Sequence, residues 1–261
     1  MTTRRTTPQD RKGAMLLLLV CTALPGAVLA QAPDPALTLY GDTAVVGEGV
    51  IRSWVERASG EIPYAVGVTL PERTFPALTD EGFMLSLDYP ELEGLPFRHV
   101  LFDWVPMGHP PEVLYAHAHW DAHFYTISAE DRRAIPEGFV EDRPDPRYMP
   151  AGYIPVPELD LFSFEAMGVH WVSSDAPELH DHTFDQTLIY GSIGERTIFV
   201  EPMFTMAFLD GRPDFSAPIP QPAAVHESGY YATRYVIRYL PDEAAYRVAL
   251  EGFRWRESDG R

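Results

Sequence analysis

The sequence contains one cysteine and one lysine, and both lie within its first 21 residues. If those residues are lost on export, the remaining chain has no disulfide, no thiolate metal ligand and no lysine for Schiff-base chemistry. Positive charge is also scarce, because the 261 residues include 20 basic and 38 acidic side chains, a net charge of −18. Such an acidic chain repels phosphate groups, so neither nucleic-acid binding nor attraction to anionic membranes is expected.

The longest apolar run is at the N-terminus and is typical of a secretory signal. Four basic residues precede the apolar segment 14–29, which Pro25-Gly26 interrupts and which ends in Val28-Leu29-Ala30. This order predicts a signal peptide at residues 1–30, cleaved on export to the periplasm or the extracellular space by a general secretory or a twin-arginine route. The apolar segment is short for a bilayer span, so no stable membrane anchor is expected after cleavage. Cleavage would remove four basic residues and one acidic residue, which leaves 16 basic and 37 acidic residues and a net charge of −21.

Residues 31–261 are predicted to form a single β-rich domain. Short segments of period-two alternation are separated by glycine and proline, which is typical of a sandwich or barrel. The clearest are residues 98–105, 184–190, 196–201, 231–239 and 246–250. A one-residue shift of the pattern at Gly252 predicts a β-bulge, and Ser128 is expected to cap one short helical turn. The fold class is therefore predicted to be all-β, an antiparallel barrel-like domain of the cupin or calycin kind with few short helical turns.

One segment, residues 115–125, holds three of the nine histidines. Because alternate residues of a strand share a face, this segment combines one apolar face with one face of nitrogen and oxygen ligands. The polar face carries His117, His119, Asp121, His123 and Tyr125. Zinc, iron, manganese and copper all accept imidazole and carboxylate ligands, so a divalent-metal site is one interpretation. The alternative is a solvated strand face, or histidines that hydrogen-bond within a packed barrel.

Several short motifs, in their order along the chain, resemble a known family. They are Asp103-Trp104, Gly108-His109-Pro110-Pro111, residues 119–125, Met167-Gly168-Val169-His170-Trp171, Pro177-Glu178, Ile189-Tyr190-Gly191 and Glu201-Pro202-Met203. Over roughly residues 37–209 the chain resembles the exported bacterial domain-of-unknown-function family that is typified by the TTHB-type β-barrel proteins. The resemblance implies a barrel-like all-β fold, a homo-oligomer such as a ring, and no known reaction. The family pattern carries His119, Asp121, His123, His170 and Glu201.

Two alternative ligand sets follow from the segment and the resemblance. The first joins His119, His123 and His170 with Glu201, three imidazoles and one carboxylate as in cupin-like sites. The rival set is a two-histidine, one-carboxylate facial triad of His119, Asp121 and His170. If the first set is correct, Asp121 would instead orient a histidine by accepting a hydrogen bond from it.

Three other residues are additional candidates for this site. They are His117 and Tyr125 on the histidine segment and His109 on the turn before it. The loop residues His180 and His182 also form a ligand-like pair, but we interpret them as solvated and outside the site.

Three functions are compatible with this chemistry. The first is a metal-dependent enzyme that acts on a small molecule, with a divalent ion (zinc, iron, manganese or copper) that polarises the substrate or activates water. The second is a non-catalytic module that binds metal or a small ligand. The third is a structural, ring-forming homo-oligomer whose histidines bind no metal. The sequence names neither a reaction nor a substrate.

Overall fold

A computed structural model describes residues 1–2, 37–58, 62–180 and 183–260. The predicted signal peptide, apart from its first two residues, lies outside this range. None of the helices in the described ranges is long and apolar enough to cross a membrane. The β-structure described below belongs to one compact unit, Pro33–Arg261.

Seventeen strands and three short helices make up the regular structure of the described residues. The strands are β1 (Thr38–Val46), β2 (Gly49–Arg57), β3 (Pro63–Pro71), β4 (Phe83–Asp88), β5 (His99–Val105), β6 (His119–Tyr125), β7 (Gly138–Phe139), β8 (Tyr153–Pro155), β9 (Phe162–Ser163), β10 (Val169–Ser173), β11 (Gln186–Ile193), β12 (Arg196–Thr205), β13 (Asp214–Pro218), β14 (Gly229–Tyr231), β15 (Arg234–Leu240), β16 (Ala245–Glu251) and β17 (Arg254–Arg256). The helices are α1 (Glu112–Tyr115), α2 (Ala129–Arg133) and α3 (Met206–Asp210), with 3₁₀ turns at Glu72–Ala77 and Pro177–Leu179.

Most strands belong to two antiparallel sheets. The six-stranded sheet has the order β1-β2-β3-β16-β15-β13, and the seven-stranded sheet has the order β4-β5-β6-β12-β11-β10-β8. Two small pairs, β14-β17 and β7-β9, complete the pairing. The predicted antiparallel, all-β domain with few short helices is thereby confirmed. Among the described strands both large sheets are open at their edges, so strand pairing does not close them into one ring.

The two large sheets share a hydrophobic core. Val55 and Val68 from the six-stranded sheet pack in one cluster with Phe102, Trp120 and Phe124 from the seven-stranded sheet. The rings of Phe102 and Trp120 stack with centroids 4.8 Å apart. Full burial of side chains of this size contributes about 1.5–3 kcal/mol each. The period-two apolar face recognised in the sequence is the face that makes this core.

The opposite face of the seven-stranded sheet is buried as well, under the connecting segments. Leu101 and Ile189 on the sheet pack there with Tyr115, Val156 and Phe184 from the connections. Every residue of β6 is therefore buried. The polar face of β6 faces this layer between the sheet and its connections, and it faces away from the core that the two sheets share.

Of two local predictions, the helix cap at Ser128 is confirmed and the β-bulge at Gly252 is wrong. Ser128 caps α2 as predicted, since its Oγ accepts a hydrogen bond of 3.0 Å from the backbone N–H of Asp131. The bulge predicted at Gly252 is wrong: β16 ends at Glu251 and β17 begins at Arg254. Gly252 has a φ of 71°, a left-handed conformation that turns the chain and that glycine adopts without strain. The shift in the pattern therefore marks the end of a strand.

Candidate metal site

Three neighbouring strands gather carboxylates on the buried polar face of the seven-stranded sheet. On β5 and β6, Asp103 lies directly opposite Asp121. On β12, Met203 lies opposite Asp121, so Glu201 is level with His123. Because residues opposite one another on adjacent strands have Cα atoms about 4.5–5.5 Å apart, the register alone brings these charged side chains together.

A first triad consists of His109, His119 and Asp121, whose ligand atoms all lie within 4.8 Å of one another. The Nε2 atom of His119 is 3.1 Å from Oδ1 of Asp121, and Nε2 of His109 is 3.5 Å from Oδ2. His119 and Asp121 are two residues apart on β6 and share its polar face. His109 comes from the turn before α1, which folds back over the start of β6.

The other ring nitrogens of the first triad determine which tautomer is present. Nδ1 of His119 donates to the carbonyl oxygen of His117, and Nδ1 of His109 donates to that of Pro110 at 2.9 Å. Since a carbonyl only accepts, Nδ1 carries a proton in both rings. Nε2 then presents a lone pair to the carboxylate if the ring is neutral and an N–H if the ring is charged. Nε2 of His119 and Oδ1 of Asp121 are 3.1 Å apart but make no hydrogen bond among the described groups.

Electrostatics support a cation at the first triad. Burial alone would raise the pKa of Asp121, but the neighbouring His119 and His109 hold it well below its usual range. The same carboxylate raises the pKa of His109 against the opposite effect of burial. Positive charge beside Asp121, whether a proton on an imidazole or a metal ion, therefore keeps this carboxylate ionised.

A second triad consists of His123, His170 and Glu201, again with ligand atoms within 4.8 Å of one another. These residues come from three strands, β6, β10 and β12. Nε2 of His123 is 3.2 Å from Oε1 of Glu201, and Nε2 of His170 is 3.9 Å from Oε2. Within the described part of the chain, Nε2 of His123 and Oε2 of Glu201 make no hydrogen bond.

Burial drives all three groups of the second triad towards their neutral forms. It lowers the pKa of His123 to about 3 and that of His170 to about 4. Burial, and then the charges of Asp121 and Asp103, raise the pKa of Glu201 well above its usual range. Neutral imidazoles are the form that binds metal ions, and a bound cation would favour the ionised carboxylate.

Asp103 lies beside both triads and was not among the sequence-based candidates. Its Oδ2 is 3.7 Å from Nδ1 of His123, and its Oδ1 has no hydrogen-bond partner within the ranges described. Burial, followed by the charge of Asp121, raises its pKa well above the usual range. The alternation of residues 98–105 puts Asp103 on one face with His99, but only the pairing of β5 with β6 brings that face to the site.

An aromatic side chain fixes the two histidines of the second triad. The ring of Phe199 packs edge-on against His123 and His170, with centroids 4.9 and 5.2 Å away. On the neighbouring strand β11, a Cβ atom at Gly191 would lie 1.9 Å from the Phe199 ring. Glycine at 191 therefore leaves the space in which Phe199 supports the site.

Both triads border a cavity of about 340 Å³. Five of its polar lining residues are His109, Asp121, His123, His170 and Glu201, with Asp103 between them. The rest of the wall is mostly apolar and includes Phe83, Met84, Trp104, Val156, Leu159, Phe164 and Met167. Met84 is 64% exposed, so the cavity reaches the surface. No arginine or lysine is present among the described residues that line it.

The proposed ligand sets are divided between the triads. Of the four residues in the first set, His123, His170 and Glu201 lie together, whereas His119 lies with His109 and Asp121. The rival set is divided too, because His119 and Asp121 belong to the first triad and His170 to the second. Nothing in the local sequence shows which residue belongs to which triad, since the grouping arises from pairing between distant strands and from the turn at His109.

The remaining candidates lie at the margin of the site or away from it. His117 is exposed and precedes β6, so only its carbonyl group takes part, by accepting from His119. Tyr125 is buried, and its hydroxyl is 3.5 Å from the carbonyl oxygen of Met167, which gives it a packing role. His180 is exposed, and His182 lies outside the described residues.

Comparison of the chain with protein-family models, with curated proteins and with solved structures finds no match in any of the three. The resemblance to the TTHB-type family therefore stays a prediction. Export and homo-oligomer formation, which rest on the N-terminal segment and on that resemblance, stay predictions as well.

Proposed function

We propose that this protein is an exported, metal-dependent enzyme that acts on a small molecule, with a divalent ion held by His123, His170 and Glu201. One observation carries the proposal. The ligand atoms of two imidazoles and one carboxylate lie within 4.8 Å of one another at the wall of a cavity, and the buried Nε2 of His123 and Oε2 of Glu201 have no hydrogen-bond partner among the described residues.

The ligand distances fit a shared ion. Bonds of about 2.1 Å to a common ion put two ligand atoms roughly 3.0 to 3.4 Å apart, for octahedral and tetrahedral angles respectively. The separation of 3.2 Å between His123 and Glu201 is within that range, and the 3.9 Å between His170 and Glu201 needs a closure of about 0.5 Å. Two histidines and one carboxylate leave further coordination positions for substrate, as in facial-triad sites, and zinc, iron, manganese or copper are all compatible with them.

The chain's own groups would prepare this site for a substrate. A divalent ion bound there supplies Lewis-acid catalysis and lowers the pKa of a water molecule. Phe199 packs against both imidazoles, and the carboxyl group of Asp103 lies 3.7 Å from Nδ1 of His123. The apolar wall, to which Val156 and Leu159 contribute, would cover the apolar part of a ligand and exclude water. A volume of about 340 Å³ suits a small molecule and is too small for a folded partner.

The test is metal content together with chelator-sensitive turnover. The protein is purified without chelator, analysed by elemental mass spectrometry, stripped with EDTA and titrated with Zn²⁺ and Co²⁺. Glu201→Gln keeps the shape of the side chain and should lose one bound equivalent, whereas His180→Gln, an exposed histidine, should bind as the unaltered protein does. Turnover is measured on a panel of small esters, amides and phosphate esters, before and after stripping.

The outcomes distinguish a metal-dependent enzyme, a metal-binding module and a protein that binds no metal. Metal lost with Glu201→Gln, and turnover lost with EDTA and restored by Co²⁺, would support the proposal. A protein that retains no metal and binds none after stripping refutes it. A protein that binds metal but turns over nothing on the panel refutes the enzymatic part and favours the binding module.

A further inference from the structure

We propose that a second divalent ion binds the first triad, His109, His119 and Asp121, so that the cavity contains a two-metal centre. This inference rests on the proposed function for the ion at the second triad. The second ion would have the same class of ligands, two imidazoles and one carboxylate.

The atoms of the first triad face one another in a way that an ion explains. Both Nδ1 atoms donate to backbone carbonyls, those of His117 and Pro110, so both Nε2 atoms are left to act as ligands. They lie 3.1 and 3.5 Å from the two oxygens of Asp121. A lone pair directed at a carboxylate oxygen is repulsive, unless a cation lies between them or a second proton charges the ring. His119 and Asp121 are almost completely buried, which makes either atom costly to leave unpaired.

The charge of the cavity also favours two ions over one. Asp103, Asp121 and Glu201 all face it, and no described lining residue is an arginine or a lysine. One divalent ion would balance two of these three carboxylates. Two divalent ions would balance all three and leave one positive charge, which an anionic group of a substrate could neutralise.

The sheet brings the two triads next to each other. Asp121 and His123 are two residues apart on β6, which puts their Cα atoms about 6.5–7 Å apart on the same face. Asp103 is opposite Asp121 and contacts His123, so its carboxylate adjoins a ligand of each triad. Two-metal hydrolytic sites keep their ions about 3.5–4 Å apart with carboxylates around them, and this row of side chains has the composition such a site needs.

The experiment counts ions per chain in the unaltered protein and four variants. The EDTA-stripped protein is titrated with Co²⁺, followed by its visible absorption and by calorimetry, and the same is done for Asp121→Asn, Glu201→Gln and the exposed control His180→Gln. We expect two equivalents in the unaltered protein and the control, and one in each of the two site variants. Because Asp121 is buried, His109→Gln is added, since this half-exposed residue can be replaced with little effect on folding. Circular dichroism and thermal unfolding verify the fold of every variant.

The outcomes separate this inference from the proposed function. Two equivalents, reduced to one by His109→Gln and by Glu201→Gln separately, would support both. One equivalent that survives Asp121→Asn and His109→Gln but is lost in Glu201→Gln overturns the second ion and leaves the proposed function intact. The absence of bound Co²⁺ in the unaltered protein overturns both, and would mean that protons on the histidines balance Asp121.

Discussion

His99 should make the stability of this fold depend on pH, and its replacement by glutamine should remove that dependence. The side chain is 0% exposed at the start of β5, and its ring stacks on Tyr125 with centroids 4.9 Å apart. Burial, and then the positive charge of Arg132, lower its pKa from 6.5 to about 4. The ring contacts neither triad's ligand atoms directly, so its titration can be studied in metal-free protein.

The sign and size follow from the two pKa values. Because the folded protein binds this proton less tightly than the unfolded chain, stability is fully present above pH 6.5 and is lost as the pH falls towards 4. The difference between 6.5 and about 4 corresponds to about 3 kcal/mol at a pH below both. At pH 5 the linkage relation already predicts a loss of about 2 kcal/mol from this one group.

Urea unfolding at pH 7.5 and pH 5, followed by tryptophan fluorescence in the presence of EDTA, measures this loss. Other buried histidines titrate in the same window, so the quantity of interest is the difference between the unaltered protein and His99→Gln. The free energy of unfolding should fall by about 2 kcal/mol less in the variant than in the unaltered protein. His180→Gln, which replaces an exposed histidine, should behave as the unaltered protein. Equal losses in the unaltered protein and His99→Gln would refute the reasoning.

Two further predictions concern the surroundings of the site. Gly191→Ala should lower the free energy of unfolding by about 1–3 kcal/mol and weaken Zn²⁺ binding, because its Cβ would displace Phe199. Urea unfolding and Zn²⁺ titration measure the two effects, and the control Gly211→Ala, at a helix end, should change stability by no more than about 0.5 kcal/mol. Equal effects of the two substitutions would contradict the prediction. Asp103→Asn should stabilise the metal-free protein, because it removes a buried carboxyl next to like charges. It should nevertheless weaken Co²⁺ binding about 10–100-fold, because it removes a carboxyl group that lies 3.7 Å from Nδ1 of His123. Calorimetry and thermal unfolding test these opposite directions, and a variant with unchanged Co²⁺ affinity would show that Asp103 does not position that histidine.

Much of the fold could be predicted from the sequence, because alternation has a simple physical cause. On β5 and β6 one face packs in the core between the sheets, so Phe102, Trp120 and Phe124 had to recur at every second position. The alternation of apolar and polar residues does not determine which strands pair. The neighbours of β6 are β5 and β12, and the latter lies more than 70 residues further along the chain. That pairing, and the open order of both sheets, depend on contacts that no local pattern encodes.

The site was predictable to the extent that it lies on one strand. His119, Asp121 and His123 share a face because they alternate, and that was visible in the sequence. His109 comes from a turn, so its approach to Asp121 depends on how the segment before β6 folds back. Asp103 was missed because an aspartate on a neighbouring strand becomes informative only once its register with Asp121 is known. The division into two triads is a property of that register.

The double role of β6 limits how this chain can vary in length. Its even-numbered residues fill the core, and its odd-numbered residues face the layer under the connecting segments, where Asp121 and His123 line the cavity. A single residue inserted or deleted within 119–125 would therefore exchange the two sets beyond that point. Imidazole and carboxylate groups would then enter the core, and Trp120 or Phe124 would enter the cavity. Insertions and deletions inside the strand are therefore expected to abolish folding and metal binding together.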